Sequence, residues 1–153
     1  MYFYEILENS ISFKTNFGWI NAREIDNCIV SVSFGKLKVS KPSRILNKLK
    51  KDIQNYLLGQ EIKWKFKLRI VGSPLQKKIW KELQKVPYGK TRSYGFIAKK
   101  LKTSPRYVGN VCGQNKHLLV VPCHRIVRSD GQLGGFSGLG GIKLKKHLLD
   151  LEN

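Results

Sequence analysis

The tetrapeptide Val71-Gly72-Ser73-Pro74 constrains the fold most, because the composition of the chain shifts there and the signals of a helix start follow. Ser73 is a favourable helix N-cap, Pro74 suits the first helical position, and Gln76 can complete a capping box. Apolar residues at helical spacing continue from this start to Leu83. The tetrapeptide therefore predicts the beginning of a helix and a boundary between two structural units.

The part of the chain before this boundary carries segments of aromatic and β-branched residues, and residues 28–34 alternate between apolar and polar types, as is typical of strands. The strands that this pattern predicts cover residues 2–7, 11–14, 17–20 and 28–34. In the last of them, Val30, Val32 and Phe34 are expected to share the buried face. Ser43 can cap one helix that ends at Gly59 and packs on the resulting sheet.

The part after the boundary predicts several short helices. One runs from Ser93 to Leu101, and another begins at Ser104-Pro105, where the serine-proline helix start is repeated. Two short helices joined by a tight turn are typical of a helix-turn-helix. Residues 118–121 predict a brief apolar strand, and a last helix is expected over residues 142–151.

We therefore expect an α+β protein with an α/β structural domain over residues 1–70 and a mainly helical domain over residues 73–153. No apolar run in the sequence approaches the roughly 20 residues that a membrane-spanning helix needs. The N-terminal residues lack the basic patch and apolar stretch of a secretory signal. These features predict a cytoplasmic protein that does not insert into membranes.

The charge balance points to a polyanionic partner. Lys and Arg number 29 against 10 Asp and Glu, which gives a formal net charge of +19. No acidic residue lies between Glu82 and Asp130, although that stretch holds ten Lys and Arg. Such a field favours nucleic acid. Two alternatives stay open on charge alone: a Lys-rich surface adapted to heat, and one that reflects low genomic GC content.

The three cysteines, Cys28, Cys112 and Cys123, are too few and too scattered for a disulfide framework. Their spacing matches no zinc motif, so a bound metal is not expected. Cys123 stands beside His124 and Arg125, and nearby positive charge favours the reactive thiolate. A buried, inert cysteine remains an alternative at this point, because neighbours in an extended chain point in opposite directions.

The residues around Cys123 carry a family resemblance. Pro122-Cys123-His124-Arg125, followed by Ile126-Val127, Ser129-Asp130-Gly131 and Gly134-Gly135-Phe136-Ser137-Gly138, resembles the active-site signature of the O6-alkylguanine-DNA alkyltransferases. Further landmarks match this family in order, namely Gln76, Trp80, Leu83, Pro87, Gly89, Ser93-Tyr94, Ile97-Ala98, Arg106, Val108-Gly109, Asn115, Lys145, Leu148-Leu149 and Glu152. The resemblance spans about residues 73 to 152, and it implies an RNase H-like fold for the N-terminal domain.

The resemblance implies DNA repair by direct damage reversal. The alkyl group of O6-alkylguanine is transferred irreversibly to Cys123, so that each molecule acts once and needs no cofactor. O4-alkylthymine is left open as a second substrate. The family activates its thiol through a water and a histidine that a glutamate orients, which implies these roles for Cys123, His124 and Glu152.

The resemblance also assigns groups that hold the base. Tyr94 supplies a phenol to the base edge, and Ser137 lies near the oxygen that loses its alkyl group. The backbone at Ile126 accepts from the guanine amine, and Asn115 braces the turn that holds the reactive cysteine. Cys112 takes a position that is usually apolar in the family, and we expect it to pack against the base.

The expected partner is double-stranded DNA bound through its minor groove by a monomer. The damaged nucleotide must be rotated out of the duplex before its carbon can be reached. By resemblance, Arg106 fills the gap that is left in the stack, and Gly109 permits close approach of the helix backbone. Tyr107, Ser93 and Arg125 complete the expected DNA-binding residues.

Two other classes of protein are weighed against this interpretation. A non-catalytic alkyltransferase-like protein binds lesions without repairing them, but such proteins lack the cysteine that is present here as Cys123. A basic helix-turn-helix regulator with a redox-sensing thiol would bind paired half-sites as a dimer. The sequence shows nothing that resembles a dimerisation helix, and a thiol sensor does not account for Tyr94, Asn115 and the glycine-rich segment together.

Overall fold

The structure is a computed structural model, and it describes residues 8–136 and 141–153. The strand predicted at residues 2–7 and the predicted substrate residue Ser137 lie outside these ranges. Within them the chain is of mixed α and β class, as expected.

Three antiparallel strands form a meander in the order β1-β2-β3. They are β1 (Glu8–Thr15), β2 (Gly18–Ile25) and β3 (Cys28–Phe34). The turn between β2 and β3 consists of Asp26 and Asn27, which both have positive φ, as a tight two-residue hairpin turn requires. The strands predicted at 11–14 and 17–20 are confirmed, but the structure extends the second of them to Ile25.

The predicted face of β3 is wrong at one residue. Val32 and Phe34 are buried as expected, whereas Val30 is only half-buried and Ile29 is fully buried in its place. The pairing register shifts at this point, since Arg23 lies opposite Ser31 and the next residue of β2 lies opposite Ile29. This β-bulge adds one residue to β3, so the inward-facing positions change from even to odd numbers.

One helix, α1 (Arg44–Leu57), packs on β1 and β2. The Ser43 side chain accepts a hydrogen bond from the Leu46 amide, and Gly59 follows the helix with a φ of +95°. Both predicted ends are thus confirmed. The residues that α1 buries are Leu46, Leu49, Ile53 and Tyr56.

Two separate segments run along the outer edge of β3. Leu68 forms a parallel bridge with Ile29, and His117 forms one with Val32. The first segment belongs to the extended stretch before the domain boundary, and the second follows the two short helices that the sequence predicts as a helix-turn-helix. The edge of this sheet therefore brings the two parts of the chain together.

Three helices follow the boundary, and all three predicted starts are confirmed. They are α2 (Pro74–Gln84), α3 (Tyr94–Leu101) and α4 (Pro105–Gly113), with N-caps at Ser73, Ser93 and Ser104. In α2 the Gln76 side chain also accepts from the Ser73 amide, which completes the capping box. Helix α3 ends at Lys102 in the left-handed conformation, and α4 begins three residues later, packed against α3.

The strand predicted over residues 118–121 is wrong. These four residues form a buried turn in which Leu119 has a φ of +72° and the Val121 amide donates to the His117 carbonyl. Only Leu118 pairs with the sheet, because its amide donates to the Val32 carbonyl over 3.1 Å. The rest of the apolar run reflects burial in the core, which apolarity alone does not distinguish from pairing. The chain then enters a 3₁₀ turn, Cys123–Arg125.

Two short strands and a last helix complete the described structure. Strand β4 (Arg92–Ser93) pairs in parallel with β5 (Ile126–Val127), which ties the start of α3 to the residues after the 3₁₀ turn. Helix α5 (Gly141–Glu152) agrees with the predicted last helix. The buried apolar side chains form one continuous core across both parts of the chain. None of the described helices is long and apolar enough to cross a membrane.

Candidate active site

Cys123 lies at a cavity of about 870 Å³ between α4 and the segment that precedes α5. The residues that line this cavity are Tyr94, Pro105, Arg106, Gly109, Cys112, Gly113, Cys123, Arg128, Ser129, Gly135 and Phe136. The structure therefore brings together the predicted nucleophile, the predicted phenol and three predicted residues of α4. Ile126 lies behind the cavity and is fully buried.

The Cys123 thiol is nearly enclosed, with 4% of the residue exposed. Its amide donates to the Val121 carbonyl over 2.8 Å, which fixes the chain at Pro122 just before the 3₁₀ turn, and the Arg125 amide closes that turn by donating to the Pro122 carbonyl over 3.0 Å. Burial raises the pKa of the thiol, whereas a hydrogen bond from Asn115 and the charge of Lys145 lower it. The thiol thus needs these two neighbours, together with a proton acceptor, to react as the thiolate.

His124 and Glu152 form a buried pair. The Nε2 atom of His124 lies 2.6 Å from Oε2 of Glu152, and neither side chain is more than 1% exposed. Burial lowers the pKa of His124 more than the carboxylate raises it, so the imidazole is neutral near pH 7. With Nε2–H donating to Glu152, Nδ1 is left as the basic nitrogen. Within residues 8–136 and 141–153, Nδ1 is the one buried side-chain nitrogen or oxygen that has no hydrogen-bond partner.

The carboxylate of Glu152 is held ionised. Burial alone would raise the pKa of Glu152, but hydrogen bonds from His124 and Arg125 outweigh it and lower the pKa to about 2. The Gly89 amide donates to Oε1 over 3.1 Å, and Tyr56 donates to Oε2. A charged carboxylate with five donors fixes the orientation of the His124 ring.

The expectation that Arg125 binds DNA is wrong. Its guanidinium is buried and donates through Nε and Nη2 to Glu152, over 2.8 and 3.1 Å, and through Nη1 to the Val86 carbonyl over 2.9 Å. These bonds hold the guanidinium inside the protein, where it cannot reach a phosphate. Its role is to neutralise Glu152 and to anchor the 3₁₀ turn.

Sequence reasoning missed Tyr56. Its hydroxyl donates to Glu152, lies 3.2 Å from Nε2 of His124, and belongs to a residue that is 1% exposed. Tyr56 is on α1, 96 residues before Glu152, so no local pattern could have connected the two. The available signal was weak: a tyrosine on the buried stripe of a helix, whose hydroxyl needs a partner.

Lys145 was noticed as a family landmark but was not predicted as a site residue. Its ammonium group is buried and donates to the carbonyls of Ile126 and Gly135, over 2.5 and 3.1 Å, and to the Tyr94 hydroxyl over 3.2 Å. Lys145 thereby connects three walls of the cavity. The Ile126 carbonyl, which was expected to accept from guanine, thus already accepts from Lys145.

Tyr94 lines the cavity, and Asn115 lies at the turn that precedes Cys123. Burial raises the pKa of Tyr94 to about 12, so its phenol remains a proton donor at neutral pH. A side chain at Gly134 would come within 2.9 Å of the Tyr94 ring, and Gly134 has a φ of +73°, so only glycine fits there. The Asn115 side chain bonds to the Val121 carbonyl and to the His117 amide, which braces the turn before Cys123.

The other predicted site residues lie on or near α4 and at the start of α3. Arg106 and Gly109 line the cavity on α4, and a Cβ at Gly109 would make only ordinary contact with Tyr94. Tyr107 is half-buried beside them, and Ser93 serves as the N-cap of α3. Cys112 lines the cavity with Cys123, and burial raises its pKa to about 12, which leaves it a neutral thiol. No group of three His, Cys, Asp or Glu that could hold a metal occurs among the described residues.

Comparison with known proteins gives one consistent result. The family model of the 6-O-methylguanine DNA methyltransferase DNA-binding domain matches residues 74–153. The methylated-DNA–protein-cysteine methyltransferases of Candida albicans and Sulfolobus acidocaldarius are 38% and 41% identical over 70% and 64% of this chain. The chain covers 58% and 61% of the lengths of these two relatives.

Solved structures extend the similarity to nearly the whole chain. The Mycobacterium tuberculosis OGT in complex with DNA matches with a TM-score of 0.82 and 28% identity, over 94% of this chain and 92% of that one. An O6-methylguanine DNA methyltransferase from Methanococcus jannaschii matches with a TM-score of 0.70 and 28% identity, over 93% and 92%. The similarity of fold thus includes the part of the chain before residue 74.

Proposed function

Because the chain belongs to the 6-O-methylguanine DNA methyltransferase family, we propose that it repairs DNA by transferring the alkyl group of O6-alkylguanine to its own Cys123. The observation that carries this proposal is the cavity that exposes one face of the Cys123 thiol, backed by the buried His124–Glu152 pair. A thioether product is not reversed by ordinary hydrolysis, so each molecule acts once. O4-alkylthymine is a second candidate substrate of the same chemistry.

The proposed step is a displacement at the alkyl carbon. The bond from the Cys123 sulfur to carbon forms as the bond from carbon to guanine O6 breaks. The thiol proton passes through a water to Nδ1 of His124, which is neutral and basic, while Glu152 stabilises the imidazolium that results. The His124 imidazolium gives its proton up again as the released guanine takes up one proton, so the thiol proton replaces the alkyl group on guanine and no net charge is left on the protein.

The leaving base requires donors at the atoms where negative charge develops. Tyr94 is suited to this task, because its raised pKa keeps the phenol protonated and Lys145 donates to the phenol oxygen. By resemblance, Ser137 serves guanine O6, the Ile126 carbonyl accepts from the amine, and Cys112 packs against the base. Asn115 keeps the thiol in place and favours its ionised form.

On the DNA side, we assign α3 and α4 as a helix-turn-helix that places α4 in the minor groove. Arg106 fills the gap left by the flipped nucleotide, and rotation of that nucleotide costs a few kcal/mol. Tyr107 and Ser93 contact the backbone, and Gly109 allows close approach of α4. A monomer suffices, since every assigned residue comes from one chain.

The proposed organisation has an RNase H-like domain over residues 1–70 and a DNA-binding, alkyl-accepting domain over residues 73–153. The three cysteines are unpaired, which suits a reducing compartment such as the cytoplasm. Tyr56 makes the first domain part of the site, because it reaches Glu152 from α1.

Intact-protein mass after incubation with a duplex that contains O6-methylguanine tests the proposal. We expect one added methyl group on the wild type and on Cys112→Ser, and none on Cys123→Ala. The Cys112→Ser variant is the matched control, because it removes the other thiol of the same cavity. Binding of the damaged duplex without any gain in mass would instead support the non-catalytic lesion binder. Preference for one DNA sequence regardless of damage would support the regulator.

A further inference from the structure

Four cations project from one face of the extended stretch that precedes the domain boundary. Residues 61–70 alternate without interruption between exposed odd positions and half-buried even positions. The exposed positions after Glu61 are Lys63, Lys65, Lys67 and Arg69, which we call the cation ladder. No role in the alkyl transfer described above involves them.

The backbone of this stretch is held in place. The Ile29 amide donates to the Lys67 carbonyl over 2.8 Å, and the Arg69 amide donates to the Ile29 carbonyl over 2.9 Å. The even positions, such as Trp64 and Phe66, pack against the core. Because an extended chain rises about 3.3 Å per residue, the ladder presents one cation roughly every 6–7 Å over about 20 Å.

One end of the ladder meets the proposed DNA-binding helix. Arg69 lines a small cavity together with Gln114, the C-cap of α4, and with Lys116. Both segments run along the same outer edge of β3, through the bridges at Ile29 and Val32. The ladder therefore begins where α4 ends and leads away from it.

The ladder is not neutralised from within the described parts of the chain. None of its four cations forms an ion pair with a carboxylate there. Glu61 continues the same exposed face, but it lies at the end farthest from Arg69. A row of like charges is unfavourable for the free protein and favourable for binding a regular polyanion.

We propose that the cation ladder binds the phosphate backbone of the DNA on which α4 sits, beyond the lesion itself. This inference rests on the proposed function, because it assumes that α4 contacts DNA. Regularly spaced cations on an ordered backbone suit a regularly charged strand, and they carry no information about sequence. The ladder thus adds affinity for any DNA rather than for the damaged base.

The experiment compares the salt dependence of binding for two fourfold variants. In the first, the ladder residues are changed to glutamine: Lys63→Gln, Lys65→Gln, Lys67→Gln and Arg69→Gln. The second removes the same charge from exposed positions at the opposite side of the sheet: Lys14→Gln, Lys38→Gln, Lys41→Gln and Arg44→Gln. Lys14 lies on β1, and Lys41 bridges its outer edge at Ser10. Equal unfolding temperatures for the two variants and the wild type show that the fold is kept.

Binding of an undamaged duplex is measured between 50 and 200 mM salt. Each phosphate contact contributes about 0.9 to the slope of log affinity against log salt, so four contacts contribute about 3.6. The wild type and the β1-edge variant should therefore lose about 150-fold more affinity than the ladder variant over this fourfold rise in salt. Equal slopes for the two variants would overturn the ladder inference.

Failure of the proposed function gives a different result. If the wild type does not bind DNA at low salt, the premise about α4 is wrong and the ladder proposal fails with it. If the wild type binds and repairs the damaged duplex while the two variants share one slope, only the ladder proposal fails. Repair with a shallower slope for the ladder variant alone supports both.

Discussion

Replacement of Tyr56 by phenylalanine tests the buried network more directly than any change to the cavity. The change removes one hydroxyl, which donates to the ionised Glu152, and leaves the aromatic ring that packs against Trp64, Tyr88 and His124. A hydrogen bond to a charged group contributes about 1.5–3 kcal/mol. We therefore expect the variant to lose about 1.5–3 kcal/mol of unfolding free energy at pH 7, or about 3–12 °C in unfolding temperature for a chain of this length.

The same change should raise the pKa of Glu152. The Tyr56 hydroxyl is one of the donors that lower that pKa to about 2, and the loss of 1.5 kcal/mol of preference for the carboxylate corresponds to about one pKa unit. A depressed carboxyl pKa stabilises the fold above the ordinary value and loses this effect as the pH falls through the folded value. The destabilisation by Tyr56→Phe should therefore be complete at pH 7 and should shrink once the pH approaches 2.

Urea unfolding monitored by fluorescence, together with carbon NMR titration of the Glu152 carboxyl group, measures both effects. Tyr88→Phe is the matched control, because the Tyr88 hydroxyl donates to a neutral acceptor, the Gly59 carbonyl, over 3.0 Å. The control should lose about 0.5–1.5 kcal/mol and should keep the pKa of Glu152 near 2. If Tyr56→Phe unfolds like the wild type, or if its Glu152 titrates with an unchanged pKa, the proposed network is wrong.

Three further changes probe the rest of the site. Glu152→Gln should lower the stability by about 3–5 kcal/mol, as measured by urea unfolding, because it leaves a buried guanidinium without its counter-charge. Gly134→Ala should displace the Tyr94 ring, which the added Cβ would approach to 2.9 Å, and should slow methyl transfer in a mass-based assay. Asn115→Ala should raise the pKa of the Cys123 thiol further, so the rate of its labelling by iodoacetamide should shift to higher pH.

Each of these three changes has a matched control variant. Exposed Glu61→Gln should leave the stability within about 0.5 kcal/mol of the wild type. Gly113→Ala, whose added Cβ meets no atom within 4 Å, should keep both the Tyr94 ring in place and the rate of methyl transfer. Gln114→Ala changes the neighbour of Asn115 and should leave the labelling profile of Cys123 unchanged. If a variant and its control behave alike, the contact that the variant was designed to remove does not have the proposed effect.

Local signals account for the parts of the fold that could be predicted from the sequence. Three serine caps, two of them followed by proline, fix the starts of α2, α3 and α4 without reference to any distant residue. The β-bulge at Val30 escaped prediction because only pairing with β2 reveals it. The turn at residues 118–121 escaped because an apolar run indicates burial and not backbone conformation.

In the candidate site, too, some residues could be predicted from the sequence and others could not. Family resemblance singled out five of the residues that line the cavity, namely Tyr94, Arg106, Gly109, Cys112 and Cys123, because they lie within recognisable segments. It did not predict that Arg125 would turn inward to Glu152, since residues that follow one another in a tight turn point in several directions. Tyr56 was out of reach for a different reason, namely that its partner is 96 residues away.

Burial of the thiol suits the proposed function, in which each molecule acts once. A fully exposed, fully ionised Cys123 would react with any small electrophile and consume the molecule without repair, whereas enclosure raises the pKa of the thiol and limits access. The reactivity of the buried Cys123 thiol must then come from neighbouring groups inside the site. Asn115 and Lys145 lower the thiol pKa in place, and His124 offers a basic nitrogen without carrying positive charge itself. Because Glu152 orients that histidine and Tyr56 orients Glu152, the part of the chain before the boundary helps to determine when the thiol reacts.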